Sequence, residues 1–103
     1  MIAEILSHRA ELDALCSRFR VRRLDLFGSA ASDDFDPARS DLDFLVEFEV
    51  GGAEALSFGA FFRLKESLEA LFGRSVDLVE PSAIRNPYLK ANIERSREPI
   101  FEA

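Results

Sequence analysis

Phe27-Gly28-Ser29, a ten-residue polar connection, and then Ser40-Asp41-Leu42-Asp43-Phe44-Leu45-Val46 form the stretch that decides how this chain folds. A small-residue turn follows one β-like run, and two carboxylates, one residue apart, head another. Side chains alternate across a strand. An extended stretch over 41–48 therefore puts Leu42, Phe44, Val46 and Phe48 on one face and Asp41 and Asp43 on the other. One face makes core; the other can carry chemistry.

Two carboxylates side by side repel, and at neutral pH both ionise only if a cation or water screens them. Mg²⁺ suits the pair, because it prefers hard oxygen ligands and completes its shell with water and substrate phosphate. Gly28-Ser29 complements such a cation. Glycine lets backbone approach a phosphate closely, exposed N–H groups at a turn favour anions, and the serine hydroxyl adds a donor. A third carboxylate lies in Ser75-Val76-Asp77-Leu78-Val79, where Val76 and Leu78 share a face and Asp77 takes the other. Three strand carboxylates beside a Gly-Ser turn suit two-metal phosphoryl or nucleotidyl transfer.

The rest of the chain supplies the frame. Its 103 residues make one small domain, 1–103, and a hydrophobic content of 48% argues against disorder. Ten Phe and no Trp predict a core built from phenyl rings. A net charge of −6 argues against a broad nucleic-acid surface. The single cysteine, Cys16, sits in an apolar helical pattern and reads as a buried small residue. Met1-Ile2-Ala3-Glu4 carries neither a basic segment nor an apolar run, so a cytoplasmic location is expected.

Periodicity predicts an amphipathic helix over 3–19, with Ile5, Leu12, Leu15, Cys16 and Phe19 inward and His8, the only histidine, structural. A strand over 21–27 places Leu24 and Leu26 on one face and Arg23, Asp25 and Phe27 on the other. Asp25 is a competing carboxylate, and pairing with Arg22 or Arg23 is the simpler reading. Between Ser32 and Glu54 there are eight acidic residues and one basic residue, Arg39. Such a run is usually a solvated loop and strand edge, yet it also concentrates cations.

A second helix is expected over 55–72, stopped by Gly73, with the Phe58, Phe61, Phe62 cluster read as core. The Asp77 strand follows, then a turn at Glu80-Pro81-Ser82, a helix over 87–96 with Pro87 in its first turn, and an edge strand over 97–101. This order fits an α+β (mixed α/β) domain, a small mixed sheet flanked by helices.

Gly28-Ser29, then Asp41-x-Asp43 and Asp77, resembles the nucleotidyltransferase superfamily that includes DNA polymerase beta. From the helix before Leu24-Asp25-Leu26-Phe27-Gly28-Ser29 to Asn86-Pro87-Tyr88-Leu89 and Pro99-Ile100-Phe101, the chain looks like the minimal nucleotidyltransferase (MNT) antitoxins encoded beside HEPN-domain toxins. The resemblance implies the nucleotidyltransferase fold. It also implies Asp41 and Asp43 bridging two Mg²⁺ ions and Asp77 as third metal ligand, on the ion that activates the attacking hydroxyl. Gly28 and Ser29 would hold the triphosphate, and Ser40 would orient the acidic loop.

The implied reaction is attack on the α-phosphorus of ATP with loss of pyrophosphate. The acceptor is a tyrosine hydroxyl of the HEPN toxin, an RNase that AMP addition silences in a type VII-like toxin-antitoxin pair. The spacer between Ser29 and Asp41 is one residue longer than the common motif. Where many relatives carry Arg-Gly, this chain has Ala31-Ser32-Asp33-Asp34, which replaces a cation with carboxylates.

Haloacid-dehalogenase phosphatases and glycosyltransferases also use Asp-x-Asp. In the former the motif ends a strand rather than beginning one, and the latter need far longer chains. Two other readings stay open: an antitoxin that neutralises its toxin by binding alone, and carboxylates that merely solvate a strand end.

Overall fold

The computed structural model describes residues 3–28, 41–49 and 58–103. Two short helices, α1 (Ala3–Ser7) and α2 (Arg9–Arg18), lead into β1 (Val21–Phe27). Then come β2 (Leu42–Phe48), α3 (Phe58–Phe72) and β3 (Val76–Val79). A 3₁₀ turn (Pro81–Ala83), α4 (Pro87–Ser96) and β4 (Glu98–Glu102) complete the chain. Ser29, Ser40 and most of the acidic run lie outside the described residues.

The four strands form one mixed sheet in the order β3-β2-β1-β4. β1 pairs antiparallel with β2 and β4, whereas β2 and β3 run parallel. A parallel pair needs a long crossover, and α3 lies within it. Pro99 sits in β4, an edge strand, where its missing N–H interrupts less of the ladder.

One sheet face is the main core. Leu24, Leu26, Leu42, Phe44, Val46, Val76 and Leu78 pack there with Ile5, Leu12 and Cys16 of α1 and α2 and with Ala60, Leu64, Leu68 and Phe72 of α3. Full burial of a leucine contributes about 2 kcal/mol, so this face carries most of the apolar stabilisation. Phe27, Leu45 and Ile93, with Val79 and Ile84 against them, form a smaller cluster on the opposite face. Among the described residues, that face is only partly covered.

The expected alternation holds in β1, β2 and β3, and the mixed sheet flanked by helices is the expected architecture. Gly73 ends α3 in the left-handed region (φ 65°), and Asn86 caps α4 by accepting hydrogen bonds from the backbone N–H groups of Tyr88 and Leu89.

Two readings need correction. The helix expected over 3–19 breaks at His8. The carbonyl of Glu4, which a continuous helix would offer to the His8 N–H, instead accepts from the Ser7 hydroxyl (3.1 Å) and His8 Nδ1 (2.9 Å). The His8 N–H turns to the Ile5 carbonyl. Side chains competing for backbone groups disrupt helices in this way. Nor are phenyl rings the main filling: among the described residues, Phe19, Phe27, Phe44 and Phe72 are buried beside a larger set of leucines, whereas Phe62 is exposed.

Among the described residues, no helix is long and apolar enough to cross a membrane. Cys16 is fully buried, and burial with the nearby Asp13 charge pushes its thiol up to about 12, so it is inert.

Candidate active site

The parallel ladder between β2 and β3 sets Asp43 directly beside Asp77, and the antiparallel ladder sets Phe27 on the other side of Asp43. Residues paired across a ladder share a face, so both carboxylates lie on the less covered face. Asp43 is half-buried, whereas Asp41, one residue before β2, and Asp77 are exposed.

Burial is the first cause that pushes the Asp43 carboxyl up to about 6. The Asp77 charge, a hydrogen bond with Asp77 and the Asp41 charge add to it. Without a cation, Asp43 therefore keeps its proton to higher pH than an ordinary aspartate. Among the described residues, no three carboxylate, histidine or cysteine side chains converge as a ready-made cation site. The donor set is a close pair, with Asp41 near enough to be felt. Hard oxygen donors whose mutual repulsion already demands a positive partner fit Mg²⁺ by their chemistry.

Gly28 follows β1 directly. Its backbone is left-handed (φ 71°), and a Cβ there would meet Asp43 Oδ2 at 2.5 Å. Glycine is thus required twice, by conformation and by the close approach to the carboxylate. The Gly28 N–H donates to Ser96 Oγ at the end of α4 (3.2 Å).

Asp25, the competing carboxylate, is fully buried and has another task. Arg97 donates to its Oδ2 through Nε (2.6 Å), its Nη2 lies 2.5 Å from the same oxygen, and Arg23 Nε lies 3.0 Å from Oδ1. Arg22, the other expected partner, reaches Glu47 instead (2.9 Å). Position alternation in β1 indicated that Asp25 shares the face of Phe27, but Arg97 lies 72 residues away and carried no local signal. Ser96 was likewise missed; nothing in Glu94-Arg95-Ser96-Arg97 distinguishes it from any helix-end serine.

Residues 9–100 match the family model described as a nucleotidyltransferase domain. The protein adenylyltransferase MntA of Thermococcus cleftensis is 38% identical over 97 residues, covering 94% of this chain and 87% of that protein. A solved minimal nucleotidyltransferase superposes with a TM-score of 0.73 at 34% identity, over 92% of this chain and 91% of the other. A complex of tri-AMPylated Shewanella oneidensis HEPN toxin with MNT antitoxin gives a TM-score of 0.64, over 96% of this chain and 73% of the solved one. At 18% identity, that last likeness is one of fold. With the Gly28 turn set against Asp43 and Asp77 beside it, these matches make the chain a minimal member of the nucleotidyltransferase family.

Proposed function

We propose that this nucleotidyltransferase is a protein adenylyltransferase acting as an antitoxin: it transfers AMP from ATP to a tyrosine hydroxyl of a HEPN-domain RNase toxin and silences it. The observation that carries this reading is the pairing of Asp43 with Asp77 on an accessible sheet face, with Gly28 packed on Asp43. The tri-AMPylated HEPN toxin held by an MNT antitoxin in a solved complex supports a protein acceptor of that kind, and the tyrosine hydroxyl follows from the sequence resemblance.

Asp41, Asp43 and Asp77 would hold the Mg²⁺ ions. When bound, these ions neutralise the carboxylates and the triphosphate and stabilise the attacking and leaving oxygens. Gly28, with Ser29, would hold the phosphates; as a glycine, Gly28 can lie against Asp43, where any Cβ would meet Oδ2 at 2.5 Å. Ser40, beside Asp41, orients the acidic loop. The phenolic oxygen bonds to the α-phosphorus, the bond to the bridging oxygen breaks, pyrophosphate leaves, and the phenol proton passes to solvent. The Asp43 carboxyl, raised to about 6, must give up its proton to hold an ion.

Ala31-Ser32-Asp33-Asp34, which lacks the Arg-Gly pair that the family resemblance leads one to expect after Gly-Ser, favours a second reading in which binding alone neutralises the toxin. Intact mass of the neighbouring-gene HEPN protein, after incubation with this chain, ATP and Mg²⁺, separates the two. AMP-sized increments absent with the Asp41→Asn, Asp43→Asn variant support transfer. A silenced RNase without any increment rejects transfer in favour of binding.

A further inference from the structure

The last turn of α4 grips the far end of β1 at two adjacent residues. Ser96 Oγ donates to the Asn92 carbonyl one turn back (3.0 Å) and accepts from the Gly28 N–H (3.2 Å). Its proton is committed to the helix, so a lone pair is left facing Gly28. Arg97, the next residue, ends the helix and closes on Asp25, three residues before Gly28 in the chain. Asn86 and Pro87 fix the start of the same helix, and Ile93 anchors its middle in the small cluster with Phe27. The hydroxyl is thus presented from a rigid element rather than from a loop.

Gly28 is a poor keeper of its own conformation, since glycine visits left- and right-handed regions with similar ease. In the observed left-handed conformation its backbone lies against Asp43. We propose that Ser96 is a positioning residue for nucleotide binding: its hydroxyl pins the Gly28 N–H, holding the entry of the phosphate turn against Asp43. Ser96 touches neither phosphate nor acceptor; it acts through Gly28. The proposal rests on Gly28 belonging to the triphosphate-holding turn.

Calorimetric titration of the full chain with AMP-PNP and Mg²⁺ tests it, with thermal unfolding measured on the same samples. One hydrogen bond in this setting is worth about a fivefold change in affinity. Ser96→Ala should weaken AMP-PNP binding by about that factor, and Ser96→Thr, which keeps the hydroxyl, should restore it. Gly28→Ala serves as the reference for the turn itself. If Gly28→Ala weakens binding and Ser96→Ala does not, the latch is overturned while the turn keeps its role. If neither variant changes binding, the turn reading fails and takes the latch with it. If Ser96→Ala weakens binding only in proportion to a lowered unfolding temperature, and Ser96→Thr does not restore it, the hydroxyl merely supports the helix and the proposal is overturned.

Discussion

Asp43 and Asp77 are direct neighbours across the parallel β2/β3 ladder, on the face that α1, α2 and α3 do not cover. Two ionised carboxylates in that position oppose folding unless a proton or a cation joins them. The domain therefore keeps on its less covered sheet face a repulsion that a proton or a bound cation removes.

The pH dependence of stability should show this. Asp43 titrates near 6 in the folded chain against an ordinary 3.8, so the folded state binds its proton more tightly than the unfolded chain does. The sign is then fixed. Below about pH 4 the group is protonated in both states and carries no penalty; the penalty grows as pH rises from about 4 to about 6 and stays in full above. In ion-free buffer, Asp43→Asn should unfold at higher urea than the native chain at pH 7.5, and the gap should close by pH 4. Excess Mg²⁺ at pH 7.5 should raise the native midpoint and leave that of the variant unchanged. A gap that persists at pH 4 would contradict the assignment.

Gly28→Ala should be costly out of proportion to one methyl group. The left-handed backbone costs a non-glycine residue about 1–2 kcal/mol, and the added Cβ would stand 2.5 Å from Asp43 Oδ2, so the carboxylate must shift. Nucleotidyl transfer should fall at least about tenfold, as expected when a catalytic group is displaced. Gly73→Ala is the control. Gly73 is also left-handed, but open space surrounds its missing Cβ, so only stability should suffer.

What could be read from the sequence follows from the range of each interaction. Alternation in Leu42-Asp43-Phe44-Leu45-Val46 located both the core and the carboxylate face, because strand geometry acts over two residues. The left-handed stops at Gly28 and Gly73 were equally local. Asp25 shows the limit: its position on the polar face was legible, but its main partner, Arg97, is joined to it only by the β1/β4 pairing and the end of α4. The break at His8 was hidden for a different reason. Apolar periodicity continues through it, and the competition for the Glu4 carbonyl depends on side-chain hydrogen bonds that the pattern does not register.

The buried Asp25 should prove more sensitive to loss of its partner than to its own removal. Arg97→Met leaves a fully buried carboxylate with only part of its cation partnership, Arg23 Nε, and should cost a large share of the ~3–5 kcal/mol lost when a buried pair is broken. Asp25→Leu should cost less, because Arg97 retains Glu94 as a partner (2.8 Å) and some access to water. In a double-mutant cycle, the paired variant should be more stable than the sum of the single losses predicts, read from urea midpoints. Strict additivity would show that the two side chains do not share their energy.

Arg20 offers a gain in stability remote from the site. It follows α2 with a left-handed backbone (φ 57°), and its carbonyl accepts from the Glu49 N–H (2.9 Å), which ties the helix end to the far end of β2. A non-glycine residue carries about 1 kcal/mol of strain there. Arg20→Gly relieves it without removing the carbonyl, at some cost in unfolded-chain entropy, for a net gain of about 0.5 kcal/mol. Arg20→Val, whose branched Cβ tolerates this region least, should lose about 1 kcal/mol or more. Arg20 precedes β1 and Gly28 follows it, roughly 20 Å of strand apart, so both variants should bind AMP-PNP as the native chain does. Urea midpoints that fail to rank Gly above Arg above Val would mean that backbone conformation does not set stability at this turn.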